Sequence, residues 1–172
     1  MHELNEFWAN SLEQAIEKAR AGGRHDVADY LALKAANDAL RAAASRWLFE
    51  SFLEIAHEAI RRGINLRIEN ENPHRFEMNR ATMVGSLVRF VFGIRSMTVE
   101  TGWTRTPADG FMRGGALAAA RLVHFGQPKH NSELVLLRSA KGEPEWFALN
   151  RDGSRTPFHT RDILEHFAVF IG

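Results

Sequence analysis

The spacing of apolar residues changes at Gly63. Before it, Leu4, Phe7, Trp8, Leu12, Ala15, Ile16 and Ala19 recur at intervals of three and four, the stripe of an amphipathic helix. Gly22-Gly23 stops that stripe, because glycine takes up the left-handed conformation of a helix C-terminus without steric cost. A second stripe starts near Asp26 and runs through Val27, Tyr30, Leu31, Leu40, Trp47, Leu48, Phe52, Ile55, Ala56 and Ile60. Unbroken from 25 to 62, such a helix would span about 57 Å at about 1.5 Å per residue. That is long for a chain of 172 residues, so a break is expected between Asn37 and Ser45, where Asn, Asp and Ser can cap a new helix. The Ala-rich stretch Ala35 to Ala44 lets another helix approach closely, which suggests a helical hairpin or a dimer built from one. Arg61-Arg62-Gly63 reads as a stop, with cations at the negative end of the helix dipole and glycine after them.

After Gly63 the apolar residues alternate or cluster in short runs between turn residues. They predict strands near Ile64–Glu69, Phe76–Met78, Met83–Phe92, Ser96–Trp103, Ala116–Phe125, Leu134–Ser139 and Trp146–Asn150. The separators are Asn70-Glu-Asn-Pro73, Gly93, Pro107 to Gly115, Gly126-Gln-Pro128, Lys141-Gly-Glu-Pro144 and Asp152-Gly153. Connections this short imply antiparallel neighbours, since a parallel pair needs a crossover. From Thr160 to Ile171 the pattern is helical again, with Thr160 as its cap and Ile163, Leu164, Phe167, Phe170 and Ile171 on its apolar face. Segregated helices and strands define an α+β protein. The expectation is N-terminal helices, an antiparallel sheet of about five to seven strands, and a C-terminal helix packed on it. One domain spanning 1–172 is expected, with 1–63 its helical part and 64–172 its sheet and last helix.

Composition narrows the chemistry. The chain has no cysteine, which excludes disulfides, thiol catalysis and Cys-ligated zinc. No apolar run approaches the roughly 18 residues of a membrane-spanning helix, and the acidic, amphipathic N-terminus does not resemble a signal peptide. A cytoplasmic protein without membrane association is expected. Net charge is +1, with residues 1–63 carrying 8 basic and 10 acidic side chains and the remainder 14 and 11. The halves thus differ too little to mark a nucleic-acid domain. Of 22 basic residues only Lys18, Lys34, Lys129 and Lys141 are lysines. A GC-rich genome explains that bias, and so does a surface that grips phosphates or carboxylates with guanidinium forks.

Few places could hold a site. The loop 104–115 contains Arg105, Arg113, Asp109, Gly110, Gly114 and Gly115; its glycines would expose backbone N–H groups to an anion that Arg105 and Arg113, with Arg121, could clamp. It lacks the Gly-Lys-Ser/Thr ending of a Walker A loop and the βαβ context of a dinucleotide site. His124 could act as a base with Asp109 or Glu100 as its orienting carboxylate. Arg89, Glu100 and Arg121 lie within predicted strands, where a shared face would make either a solvated side or a charge-paired pocket. Glu54 and His57 have a bundle metal-site spacing but no partner carboxylates, so neither a metal nor a cofactor is expected. Gly-x-Ser-x-Gly and Ser-x-x-Lys are absent, which argues against an activated serine. Arg67, Arg75, Arg80, Arg89 and Arg95 interleave with Phe76, Phe90 and Phe92, but no RNA-binding signature accompanies them, and nucleic acid is not the expected partner. Three functions follow in order: a self-associating interaction or scaffold protein without catalysis, a small-anion-binding module using the 104–115 loop, and a hydrolase-like enzyme using Asp109, His124 and Glu100.

Overall fold

The computed structural model describes residues 2–172, with side chains from residue 9 onward. The apolar positions Leu4, Phe7 and Trp8 of the first stripe therefore lie outside the described side chains. The chain forms two compact units, residues 1–42 and 43–172. The boundary falls inside a helix, ahead of the change of periodicity at Gly63.

The first unit holds α1 (His2–Ala21) and the opening turns of α2 (His25–Arg61). The link between them is a Schellman closure. Gly23 sits at φ +72°, its N–H donates to the Arg20 carbonyl at 3.0 Å, and Arg24 N–H donates to the Ala19 carbonyl at 2.9 Å. The break expected between Asn37 and Ser45 does not occur, and α2 is continuous. Asp38 spends its carboxylate on Arg41, 2.8 Å away and one turn on, and is not available to cap a backbone end. The surrounding alanines have the highest helix propensity of any residue, so nothing terminates the helix there.

The second unit is the rest of α2, a seven-stranded sheet and α3 (Thr160–Ile171). The strands β1 (Arg67–Met78), β2 (Ala81–Phe92), β3 (Arg95–Trp103), β4 (Ala118–His124), β5 (Ser132–Arg138), β6 (Pro144–Leu149) and β7 (Arg155–Pro157) lie in chain order, each antiparallel to the next. Two expectations change. The segments expected at 64–69 and 76–78 merge into one strand that starts only at Arg67, because Asn70–Pro73 is not a turn but an irregularity within β1, where the register against β2 shifts between Glu71 and His74 and the Asn72–Pro73 peptide is cis. Proline cannot donate to a ladder, and an edge strand such as β1 tolerates it at a bulge. β7 is a short edge strand with no apolar alternation, so its pattern carried no strand signal.

Side-chain alternation divides the sheet into two faces. Phe90, Met97, Val99, Leu122, Leu134, Leu136 and Trp146 meet α2 and α3. Phe90 is fully buried, with its ring centroid 6.2 Å from Phe52 of α2 and 6.0 Å and 6.5 Å from Phe167 and Phe170 of α3. Trp146 Nε1 donates to the Ala44 carbonyl at 3.1 Å, tying α2 to β6. Of the apolar stripe on α2, Leu48, Phe52 and Ala56 are buried while Trp47 and Ile60 remain exposed. α3 starts one residue after its cap. The cap is His159, not Thr160, and its backbone N–H donates to Asp162 Oδ2 at 2.7 Å.

Candidate functional site

On the face away from the helices, Phe76, Met78, Ala81, Met83 and Ala119 form a second apolar cluster with Met112 packed on it. Beside it lies a chain of charges. Glu100 and Arg121 are register partners across β3 and β4, and Arg121 Nε donates to Glu100 Oε1 at 2.6 Å. His74 bridges two carboxylates, its Nε2 2.6 Å from Glu100 Oε2 and its Nδ1 2.9 Å from Glu71 Oε1. Glu100 is only 4% exposed. Burial pulls the His74 pKa down, but its hydrogen bonds to Glu71 and Glu100 and their charges outweigh that and raise it. The His74 ring stacks on Phe76, and the Arg121 guanidinium lies 5.6 Å over the same ring. Every member of this chain has a partner, as a buried charge requires, and the arrangement latches the second half of β1 onto β3 and β4.

On the helix-facing side the loop after β4, the start of β5, the β7 segment and α3 enclose a cleft of about 300 Å³, whose lining includes Lys129, His130, Ser132, Thr156, Asp162, Glu165 and His166. A line of hydrogen bonds runs inward from its lining to the buried His124. Ser132 Oγ lies 3.2 Å from His166 Nε2, and His166 Nδ1 lies 2.9 Å from His124 Nε2. The two imidazoles stack with centroids 5.2 Å apart and planes at 19°. His124 N–H donates to Asn131 Oδ1 at 2.8 Å, which holds the loop 125–131 against the strand end. Burial lowers the pKa of His124, assisted by the His130 charge. Burial is also the main cause at His166, and with the His124 and His130 charges it outweighs the opposing pull of Asp162, bringing the pKa from 6.5 to about 4. Both rings are therefore neutral at pH 7.

A third feature is a groove of about 790 Å³ between the C-terminal half of α2 and α3. Trp47, Ile55, Ala59, Leu164, Phe167 and Ile171 supply its apolar surface. Trp47 is 39% exposed and Leu164 52% exposed. Glu50, Glu54 and Glu58 run along the α2 side, with Arg61 and Arg62 at its end.

Glu100 and Arg121 are brought together as a pair on the outer face of the sheet, but the other expected residues do not join them. His124 and Glu100 occupy opposite faces of the sheet, and Asp109 accepts from Thr106 N and Oγ1, each at 3.1 Å. A base–carboxylate unit of Asp109, His124 and Glu100 is therefore not formed. The anion clamp is dispersed as well. Arg105 donates through Nε and Nη2 to the Val84 carbonyl at 3.2 Å and covers the Trp103 ring at 3.8 Å. Arg121 is neutralised by Glu100, and only Arg113 lines a small cavity of about 100 Å³ against the second apolar cluster. Gly114 and Gly115 adopt φ of +66° and +72°, and Arg155 Nη2 occupies the space beside Gly114. Among the described residues, no group of three His, Asp or Glu side chains is placed to hold a metal ion, and no helix is long and apolar enough to cross a membrane.

Sequence reasoning reached His124 but missed its partners. Ser132 carried no motif. His166 carried a usable signal, since it sits three residues after Ile163 and one before Phe167, on the apolar flank of an amphipathic helix. No protein-family model, no curated protein and no solved structure matches this chain.

Proposed function

We propose that this protein is a self-associating interaction protein that docks a second copy of itself through the α2/α3 groove. The observation that carries this reading is the pair Trp47 and Leu164, large apolar side chains left in water on the two helices that border one groove. Apolar side chains on both walls of one groove give a second copy a surface to cover on association. The charge order on α2 favours a second copy as the occupant. Glu50 and Glu54 lie at one end of the groove-facing stripe, Arg61 and Arg62 at the other. An antiparallel, two-fold-related α2 would set each acidic end against the partner's basic end, which is the self-complementarity an isologous interface demands. Glu58 already binds both arginines within the chain, so the end still carries a net positive charge. This surface lies on the C-terminal half of α2, not on the Ala35–Ala44 stretch. A cytoplasmic setting belongs to the same reading, since a cysteine-free chain makes no use of an oxidising compartment.

Native mass spectrometry with light scattering tests it. The expected species has twice the 19.5 kDa chain mass. Leu164→Asp should convert it to monomer, Glu50→Arg should weaken it, and adding Arg62→Glu to Glu50→Arg should restore it. A wild-type protein that remains monomeric at about 100 μM, where even a weak dimer assembles, would overturn the proposal.

A further inference from the structure

We propose that Ser132, His166 and His124 form a nucleophilic relay that cleaves small short-acyl esters through an acyl-serine. The geometry is linear: hydroxyl to imidazole at 3.2 Å, imidazole to imidazole at 2.9 Å. Nucleophilic hydroxyls are activated when a base lies within hydrogen-bond reach and a third group orients that base. Two proton orders are compatible with these distances. In the productive one Ser132 O–H donates to His166 Nε2, His166 Nδ1–H donates to His124 Nε2, and His124 keeps its own proton on Nδ1. His124 is 4% exposed and its backbone is anchored to Asn131, so it is fixed in place as the orienting group. Of the two histidines only His124 is buried, while His166 is part-buried and reaches the lining of an open cleft together with Ser132, and this alignment of a part-exposed imidazole on a serine has a direct chemical use.

The steps balance. Ser132 Oγ bonds to the ester carbonyl carbon as its proton passes to His166 Nε2. His166 returns that proton to the departing alkoxide as the acyl–oxygen bond breaks, and the alcohol leaves. A water then attacks the acyl carbon, giving its proton to His166, which returns it to Ser132 Oγ as the carboxylic acid is released. Asp162, on the cleft wall, favours the protonated His166 that exists between these transfers. Lys129, lining the same cleft, supplies a cation to the negative charge that develops on the carbonyl oxygen. A volume of about 300 Å³ admits a short acyl chain and a small alcohol.

The test is labelling of the full chain with a fluorophosphonate probe, followed by peptide mass spectrometry and hydrolysis of p-nitrophenyl acetate. The expected result is a phosphonyl adduct on Ser132, with hydrolysis lost at least about 100-fold in Ser132→Ala and His166→Gln. His124 is a positioning residue. His124→Gln keeps an acceptor for the His166 Nδ1 proton and should retain labelling within about threefold, whereas His124→Leu should lose at least about tenfold, with KM unchanged in both. No adduct on wild-type Ser132, an adduct on another residue only, or wild-type hydrolysis by a folded Ser132→Ala protein would each overturn the proposal.

Discussion

The burial of His166 makes stability fall as pH drops below the ordinary histidine range, and one substitution removes a predictable share of that fall. The unfolded chain binds a proton at this residue near 6.5, the folded protein only at about 4. Between those values the unfolded state holds one more proton than the native state. Stability conferred by His166 is thus complete above pH 6.5, is lost progressively as pH falls toward 4, and is absent below it. A shift from 6.5 to about 4, at about 1.4 kcal/mol per unit, amounts to roughly 3 kcal/mol. His124 is depressed as well and adds to the effect, while His74 opposes it. With its folded pKa raised, His74 contributes stability that is complete below 6.5 and lost as pH rises through the folded value. His166→Phe keeps an aromatic ring beside Phe158 and removes the titration. Urea unfolding followed by tryptophan fluorescence, at fixed protein concentration and from about pH 7 down to about pH 4.5, covers this window, and the carboxylate titrations at its lower end are common to both proteins and cancel in the comparison. The expected outcome is that the variant's stability declines less steeply than wild type by about 1.4 kcal/mol per pH unit, the slope of one proton. Parallel curves for the two proteins would refute the reasoning, because they would mean that His166 titrates alike in the folded and unfolded chains.

Two further predictions concern packing. Phe90→Ala removes the ring on which Phe52, Phe167 and Phe170 converge and should cost about 3–5 kcal/mol by chemical denaturation. A loss below about 1 kcal/mol, the scale of a surface change, would mean that α2 and α3 do not share a core with β2. Gly85→Ala would place a Cβ onto the Thr101 carbonyl oxygen and close to Gly102. It should leave the sheet misfolded or melted in circular dichroism, whereas the same change at exposed Gly142, whose surroundings are open but whose φ is +82°, should cost no more than about 1–2 kcal/mol.

What could be read from the chain alone was whatever depends on neighbours a few positions away. The stop at Gly23, the helical stripes, the strands β2 to β6 and the α+β class all follow from periodicities of 3.6 and 2 and from turn chemistry. Where local signals competed, the reading failed. Asp38 had an ion-pair partner one turn away and did not cap, and Pro73 sat in a bulge of an edge strand where it passed for a turn. A charge-paired face holding Glu100 and Arg121 was foreseeable from strand parity, but the partners contributed by distant segments, His74 and His166, were not. Glu100 and His124 share the strand pair β3–β4, yet a one-residue difference in parity sends one to His74 and Arg121 and the other to His166. His74 and Glu100 are separated by 26 positions, and His124 and His166 by 42. Distances of that kind are set by strand register and by where α3 lands on the sheet, and no local pattern encodes them. Sequence determined which segments could bury an apolar face; only the tertiary structure decided which polar residues those segments would press together, because a buried polar group takes whatever partner the packed core leaves within about 3 Å.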